Sequence, residues 1–331
     1  MRRSSTVTGL AVAVAAALAF GMSGPFVKPL LEAGWSPAAA VTVRSLVGGL
    51  VLIPFAFLTL RGRWRGLWRA RNRILIIGLI GSAGTQLAYF AAIERIPVST
   101  GILIEFMAPL LLVGFVWFRT RKTPGAVVLI GSVFAILGLF LVVSPGEGGA
   151  LDPLGLLFAG AAAIGCAIYF VAAADGDDDV PPVAVASVSL LIGGAAIAIV
   201  SLTGIVPFSM TFGTVELFGE ATPWWVPMGI VAIVATGFSY AVSIIASQML
   251  GARLASFAGL LEVVASTVYA WLLLGEQMTL LQMLGGGLIL LGIGFVRSEK
   301  TAAITPEEEG LLPAVHDAAE RDEHRDVELA T

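Results

Sequence analysis

Two carboxylates interrupt otherwise apolar stretches of this 331-residue chain. Glu105 stands in Ile102-Leu103-Ile104-Glu105-Phe106, within an apolar run from about Val98 to Phe118. Glu262 stands in Gly259-Leu260-Leu261-Glu262-Val263, within a run from about Leu254 to Leu274. A carboxylate at membrane depth costs roughly 2.5–3.5 kcal/mol on insertion scales. Meeting that cost twice, at equivalent points of an internal repeat, points to one polar site that uses both groups. Such a carboxylate binds a cationic group or carries a proton. The bland alternative is that each is protonated and hydrogen-bonded to a neighbouring helix; the paired positions favour the functional reading.

Lys28 is a third charge inside an apolar segment. It sits in Gly24-Pro25-Phe26-Val27-Lys28-Pro29, where two prolines each remove a backbone donor and disturb the helix. Broken helices with freed carbonyls line the cavities of many transporters. The competing reading has Lys28 snorkelling to the headgroups beside Glu32. Arg44, near the outer end of its segment, reads as a structural or interfacial anchor. Gln86, Tyr89, Tyr169, Ser239, Tyr240, Ser243 and Tyr269 are weaker candidates for lining a site, since a transmembrane tyrosine or serine usually serves packing.

Several chemistries lack their parts. Gly21-Met22-Ser23-Gly24 matches the serine motif of rhomboid-type proteases, but both histidines, His316 and His324, lie in the polar tail. Without a base the serine is not activated. Asp175 to Asp179 fall in a loop, so the paired aspartates of an intramembrane aspartyl protease are missing too. There is no phosphate-binding glycine loop, no carbonyl-filter signature and no basic stripe with interleaved aromatics. The chain therefore reads as a non-enzyme with no cofactor and no nucleic-acid partner. The single cysteine, Cys166, lies in an apolar segment and reads as a small core residue.

The elements that must position these groups follow from composition. Apolar residues make up 57% of the chain and charged residues 13%, against about 25% charged in soluble domains. A spanning helix needs about 20 mostly apolar residues. Ten such segments can be read, at approximately 7–31, 38–60, 74–93, 98–118, 124–143, 153–174, 183–206, 224–249, 254–274 and 280–297. The first could pass for a signal peptide, with Ala17-Leu18-Ala19 as a cleavage site, but the run is too long and a repeat needs it. Short connections such as Ser144-Pro145-Gly146 and Val180-Pro181-Pro182 leave no room for a second folded domain.

The expected fold is thus an all-α membrane protein of ten transmembrane helices in two inverted five-helix repeats. Residues 7–143 and 153–297 form the repeats; 1–6 precede them and 298–331 form a disordered acidic tail. Ser99-Thr100-Gly101-Ile102-Leu103-Ile104-Glu105 parallels Ser256-Phe257-Ala258-Gly259-Leu260-Leu261-Glu262, and Gly131 and Gly138 recur as Gly285 and Gly292. Five is odd, so the second unit enters from the opposite face. Glu105 and Glu262 then lie about 11–12 Å inside a core about 30 Å thick, flanking the midplane from either side. With both termini cytoplasmic, sixteen of the nineteen lysines and arginines fall inside, including the six arginines of the Arg61–Arg73 loop.

This pattern resembles the drug/metabolite transporter superfamily, EamA type. Within it, Tyr89-Phe90-Ala91-Ala92-Ile93-Glu94-Arg95-Ile96-Pro97 and Glu105-Phe106-Met107-Ala108-Pro109-Leu110 look like the threonine/homoserine exporter branch, which is similar also in a lysine at the place of Lys28. Leu274-Gly275-Glu276 matches the family's second repeat, whereas the family's Glu-Pro reads Glu262-Val263 here. The resemblance implies a secondary transporter of the inner or plasma membrane. It would export a small amphipathic metabolite, an amino acid first among candidates, by alternating access. Its partners would be that small molecule, the lipid bilayer and protons as the coupling ion. Glu105 would take the ammonium or a proton, Lys28 a carboxylate, and Glu262 the symmetry-related place. The reading from another class is a membrane scaffold or lipid-handling protein with no soluble substrate.

Overall fold

The computed structural model describes residues 2–298, apart from 63, 109, 112–113, 115–116, 118–120, 122–124, 144–150 and 175–179. The tail from 299, the acidic loop Asp175–Asp179, the turn Ser144-Pro145-Gly146 and much of the end of the fourth expected span lie outside the described residues. Among the described residues, five helices are long and apolar enough to cross a membrane: Thr8–Glu32, Pro37–Leu60, Arg71–Ile93, Pro182–Leu202 and Trp225–Ala246. Four shorter apolar helices accompany them: Ala126–Val142, Pro153–Tyr169, Leu261–Leu274 and Leu280–Gly292. Large apolar side chains such as Phe55, Phe57, Leu58, Phe140 and Leu157 stand exposed on the outside of the bundle. In a soluble protein such a surface would be a liability; in a bilayer it faces acyl chains.

The first expected span is two helices, α1 (Arg2–Gly21) and α2 (Ser23–Glu32). Pro25 has no N–H to give the Gly21 carbonyl. The chain turns at Met22, and Phe26 N restarts the ladder on Met22 O at 3.1 Å. Helix α3 (Pro37–Leu60) opens with a capped first turn, since Ser36 Oγ accepts from Ala39 N at 3.2 Å and Pro37 needs no partner. The arginine-rich connection, expected as a loop, contains a short helix α4 (Trp64–Arg69).

The third span is composite: α5 (Arg71–Leu75), a π-helical stretch π1 (Ile76–Gly84) and α6 (Thr85–Ile93). The same device recurs in the second half as α11 (Trp225–Gly229) followed by π2 (Ile230–Phe238), once α7 (Val98–Glu105), α8 (Ala126–Val143), α9 (Pro153–Ala174) and α10 (Pro182–Leu202) have been passed. A threonine hydroxyl donates to a π-stretch carbonyl five residues back in both: Thr85, just after π1, to Ile80 O at 2.9 Å, and Thr236, within π2, to Val231 O at 2.7 Å. The sequence pattern alone had not singled out this correspondence.

Helical backbone α12 (Ser239–Leu274) takes in the residues of both the eighth and ninth expected spans. Straight, its 36 residues would be about 54 Å long. It cannot be straight. Trp224, just before its approach, lies 5.5 Å from Trp35, while Glu276, just after its end, lies 3.9 Å from Lys28. Both ends of the stretch therefore reach the short α2 and the turn that follows it. One arm packs Ala246 on Ala13 of α1 and the other sets Ala265 against Gly21. The chain doubles back between them.

Connections gather at that end of the bundle. Trp35 Nε1 donates to Thr211 O at 2.7 Å and Ser36 N to Ser209 O at 3.0 Å. Beyond them lies a departure from the all-α expectation, a hairpin of β1 (Thr214–Leu217) and β2 (Glu220–Pro223). Its two-residue turn, Phe218-Gly219, has positive φ at both positions, as the twist of a tight hairpin requires. Val215 and Leu217 alternate inward and are buried against the main core. The last helix, α13 (Leu280–Ser298), packs on α8 through glycines. A Cβ on Gly138 would lie 2.5 Å from the Gly285 carbonyl oxygen, and one on Gly285 2.6 Å from the Gly138 carbonyl oxygen.

Candidate functional site

Arg44 is the organising residue; of the two readings the sequence left, structural or interfacial anchor, its burial excludes the interfacial one. It is 1% exposed and sits on α3, seven residues past Pro37. Its Nε donates to Thr236 Oγ1 at 2.7 Å, one Nη1 hydrogen to Ser23 Oγ at 2.7 Å, the other to Gln86 Oε1, and Nη2 to Ala235 O at 3.2 Å. The guanidinium also lies 5.2 Å from the centre of the Phe90 ring. Three other elements thus converge on it: α2, α6 and π2. The π geometry of π2 and the Thr236 hydroxyl's own bond to Val231 bring a backbone carbonyl and a side-chain acceptor to the same cation. Gly48, one turn along α3, permits the approach, because a Cβ there would lie 2.8 Å from Ala232 O.

All four acceptors are neutral. A guanidinium has five N–H donors, and four are used. Glu105 and Glu262 both interact electrostatically with Arg44, and with each other. The two carboxyls that the repeat pattern paired therefore lie within electrostatic reach of one cation and of each other. Neither makes a hydrogen bond among the described residues. Glu105 is 6% exposed and is the last residue of α7. The helix stops there for a reason legible in the chain: Pro109 has no N–H for the Glu105 carbonyl. Phe106 and Met107 turn instead, with Met107 N on Ile104 O at 3.0 Å. Glu262 is half-buried on the returning arm of α12, and its backbone carbonyl faces Gly21.

Two tyrosines flank this centre from corresponding places on α6 and α12. Tyr89 is buried, with its hydroxyl against Gly24 and beside Ser266 Oγ; neither hydroxyl makes a hydrogen bond of standard geometry. Tyr240 has its hydroxyl beside Ser82 and its ring 5.0 Å from Phe20 and 6.0 Å from Tyr169. Gln86 is a direct partner of Arg44. Ser243 is half-buried one turn beyond Tyr240. Ser239 donates locally to Thr236 O at 3.2 Å, and Tyr269 packs against the main core. Those last two are packing residues.

Lys28 belongs to a different cluster. Its Nζ donates to Ile93 O at 2.9 Å and Ile96 O at 3.2 Å, and lies 3.9 Å from Glu276. It does not snorkel beside Glu32. Glu276 in turn accepts from Val98 N at 2.8 Å, Ser99 N at 3.2 Å and Ser99 Oγ at 3.1 Å. A carboxylate thus holds the positive N-terminus of α7, whose other end carries Glu105. Gly275, at φ 66°, ends α12 and turns Glu276 toward it. That is the physical work of Leu274-Gly275-Glu276, which the sequence showed only as a motif. Ser23 was likewise weighed only as a nucleophile; its hydroxyl in fact accepts from Arg44.

A family model described as the EamA-like transporter family matches the chain twice, over residues 7–144 and 153–298. The chain belongs to the EamA-like transporter family. This EamA-like protein is 26% identical over 305 residues to "Uncharacterized inner membrane transporter YicL" of Salmonella typhimurium, covering 86% of this chain and 94% of the relative. It is 26% identical over 253 residues to "Threonine/homoserine exporter RhtA" of Escherichia coli, covering 75% and 77%. A solved crystal structure that is 20% identical superposes with a TM-score of 0.57 over 89% of this chain and 96% of that one, which supports the fold alone. The EamA-like chain is a transporter of the drug/metabolite type, held in a membrane by several apolar helices. Its relatives are transporters rather than enzymes.

Proposed function

We propose that the protein is a secondary transporter that exports a small amphipathic metabolite, an amino acid in the first instance, by alternating access. The observation that carries this reading is the placing of buried Glu105 and half-buried Glu262 within reach of the charge of buried Arg44, with neither carboxyl hydrogen-bonded to a described residue. Structural glutamates inside a bundle would be expected to bind neighbouring helices; these two are left for something that arrives. Glu105, at a helix end, takes the substrate ammonium or a proton, and Glu262 takes the corresponding place in the other half. Tyr89, Gln86, Tyr169, Tyr240 and Ser243 line the same region. Lys28 and Glu276 clamp one end of the bundle and release it when the site opens there. The exporter named among the relatives supports the amino-acid choice. The chain holds no phosphate-binding loop, so an ion gradient, protons in this reading, drives the flux.

Ten spans in two inverted repeats make sense of the site. The paired π stretches and their threonines support this reading. So does the reversal within α12. The reciprocal glycine contact also supports it: Gly138 meets Gly285 while Gly292 meets Gly131, the pairing a two-fold axis in the membrane plane generates. Both termini then face the cytoplasm. In a Cys166→Ala background, a cysteine at Gly213, in open space near the hairpin, should react with an impermeant maleimide from outside the cell, and one at Gly66 should not. Reversed labelling would overturn the orientation. For the function itself, purified protein in liposomes should exchange labelled threonine for internal unlabelled threonine, and an imposed proton gradient should drive net flux. A tightly folded protein that exchanges none of a panel of amino acids would favour a scaffold or lipid-handling role.

A further inference from the structure

Arg44 is saturated by weak partners. Two hydroxyls, an amide oxygen and a backbone carbonyl accept from it, and one Nη2 hydrogen remains. A cation removed from water is costly unless it is paired with an anion. The two carboxyls that could pair with it lie within electrostatic range without touching it. Two further buried polar groups nearby, the hydroxyls of Tyr89 (2% exposed) and Ser266 (1% exposed), are without a hydrogen-bond partner among the described residues. A guanidinium presents a planar fork that matches a carboxylate with two parallel bonds, about twice as strong as its bonds to neutral acceptors. A carboxylate entering from solution can therefore displace Ser23 and Gln86 from the Nη groups. Two charge-assisted contacts of about 2.8 Å, joined by the short backbone of an α-amino acid, span from a guanidinium to a carboxyl it does not touch.

We propose that Arg44 is the carboxylate-binding group of the transport site, and that the ligand class is a zwitterion held with its carboxylate on Arg44 and its ammonium on Glu105. This rests on the transporter reading and moves the anionic end of the substrate from Lys28, whose ammonium is already held by two carbonyls and Glu276, to the buried arginine. Arg44 draws on α2, α6 and π2 at once. Replacing Ser23 and Gln86 by a ligand loosens α2 and α6 from α3, so occupancy and helix movement are linked through this residue.

The test compares labelled threonine with threoninamide, which keeps the ammonium and lacks the carboxylate, in counterflow with purified protein in liposomes. The parent should handle threonine at least about tenfold better than the amide, the equivalent of one charge-assisted contact. Arg44→Gln should lose threonine flux and handle threonine no better than the amide. Should Arg44→Gln fail to fold, Arg44→Lys keeps the charge without the fork and should narrow the preference for threonine severalfold. Equal handling of both ligands by the parent, or an Arg44→Lys preference identical to the parent's, overturns the proposal while leaving the transporter reading intact. A parent that moves neither ligand removes the amino-acid reading, and the proposal with it.

Discussion

Glu105→Gln is expected to abolish gradient-driven flux and leave the folded protein intact. The expectation has two parts, and both come from the position of this side chain. Its carboxyl makes no hydrogen bond among the described residues, so an isosteric amide breaks none of the bonds described there and keeps the shape of the buried side chain. What the amide does remove is the negative charge that a substrate ammonium or a proton would meet. A hydrogen bond to a charged group contributes about 1.5–3 kcal/mol, which is roughly a ten- to hundredfold loss in occupancy. Losing the exchangeable proton ends coupling altogether. Glu262→Gln should be milder, since that residue is half-buried and its helix lacks the proline that breaks α7 after Glu105. The measurements are proton-driven flux in liposomes and thermal unfolding of both variants. Parental flux in Glu105→Gln, or loss of flux only through loss of fold, would show a structural carboxyl and sink the mechanism.

The second large effect concerns stability. Gly138→Leu should destabilise the protein by about 1–3 kcal/mol or more, the usual cost of forcing atoms into a filled contact. At this position the obstacle is the Gly285 carbonyl oxygen, 2.5 Å from where the new Cβ would stand. Backbone cannot move aside as a side chain can, so α8 and α13 must separate. Gly285→Leu should do the same through the reciprocal contact. Gly287→Leu, on α13 two residues away with nothing within 4 Å of its Cβ position, supplies the control. Thermal unfolding in detergent should show a clear drop for the first two and little change for the third. A Gly138→Leu protein as stable as the Gly287→Leu control would mean that the helices do not meet as described.

The glycine spacings, Glu105 and Glu262 could be read together from the chain because they are properties of composition and period. A charge in an apolar run stands out in one dimension, and so does a motif that returns after a fixed interval. Arg44 stood out by the same rule and was still set aside, since distance from the end of a segment does not reveal which way a side chain points. Its partners Ser23, Gln86, Ala235 and Thr236 lie far apart in sequence, and only Gln86 had been marked as lining a site, Ser23 having been weighed only as a nucleophile. Constant spacing relates Thr85 to Thr236 and Tyr89 to Tyr240, so a search for that interval would have found the π pair. No interval would have found Glu276. It acts at the start of α7 because two connections meet at one end of the bundle.

The sequence by itself determined the class of the protein, a helical membrane transporter, and which acidic groups are expensive enough to need a use. These follow from local rules. Apolar length sets a span, and a proline without an N–H ends a ladder. The tertiary structure decided how the charges are shared. It set Arg44 among neutral acceptors facing the two carboxyls, and drew Lys28 away to Glu276 at the helix end. The hydrogen bonds that make those choices form between elements up to about two hundred residues apart, and only packing brings their donors and acceptors within 3 Å or so.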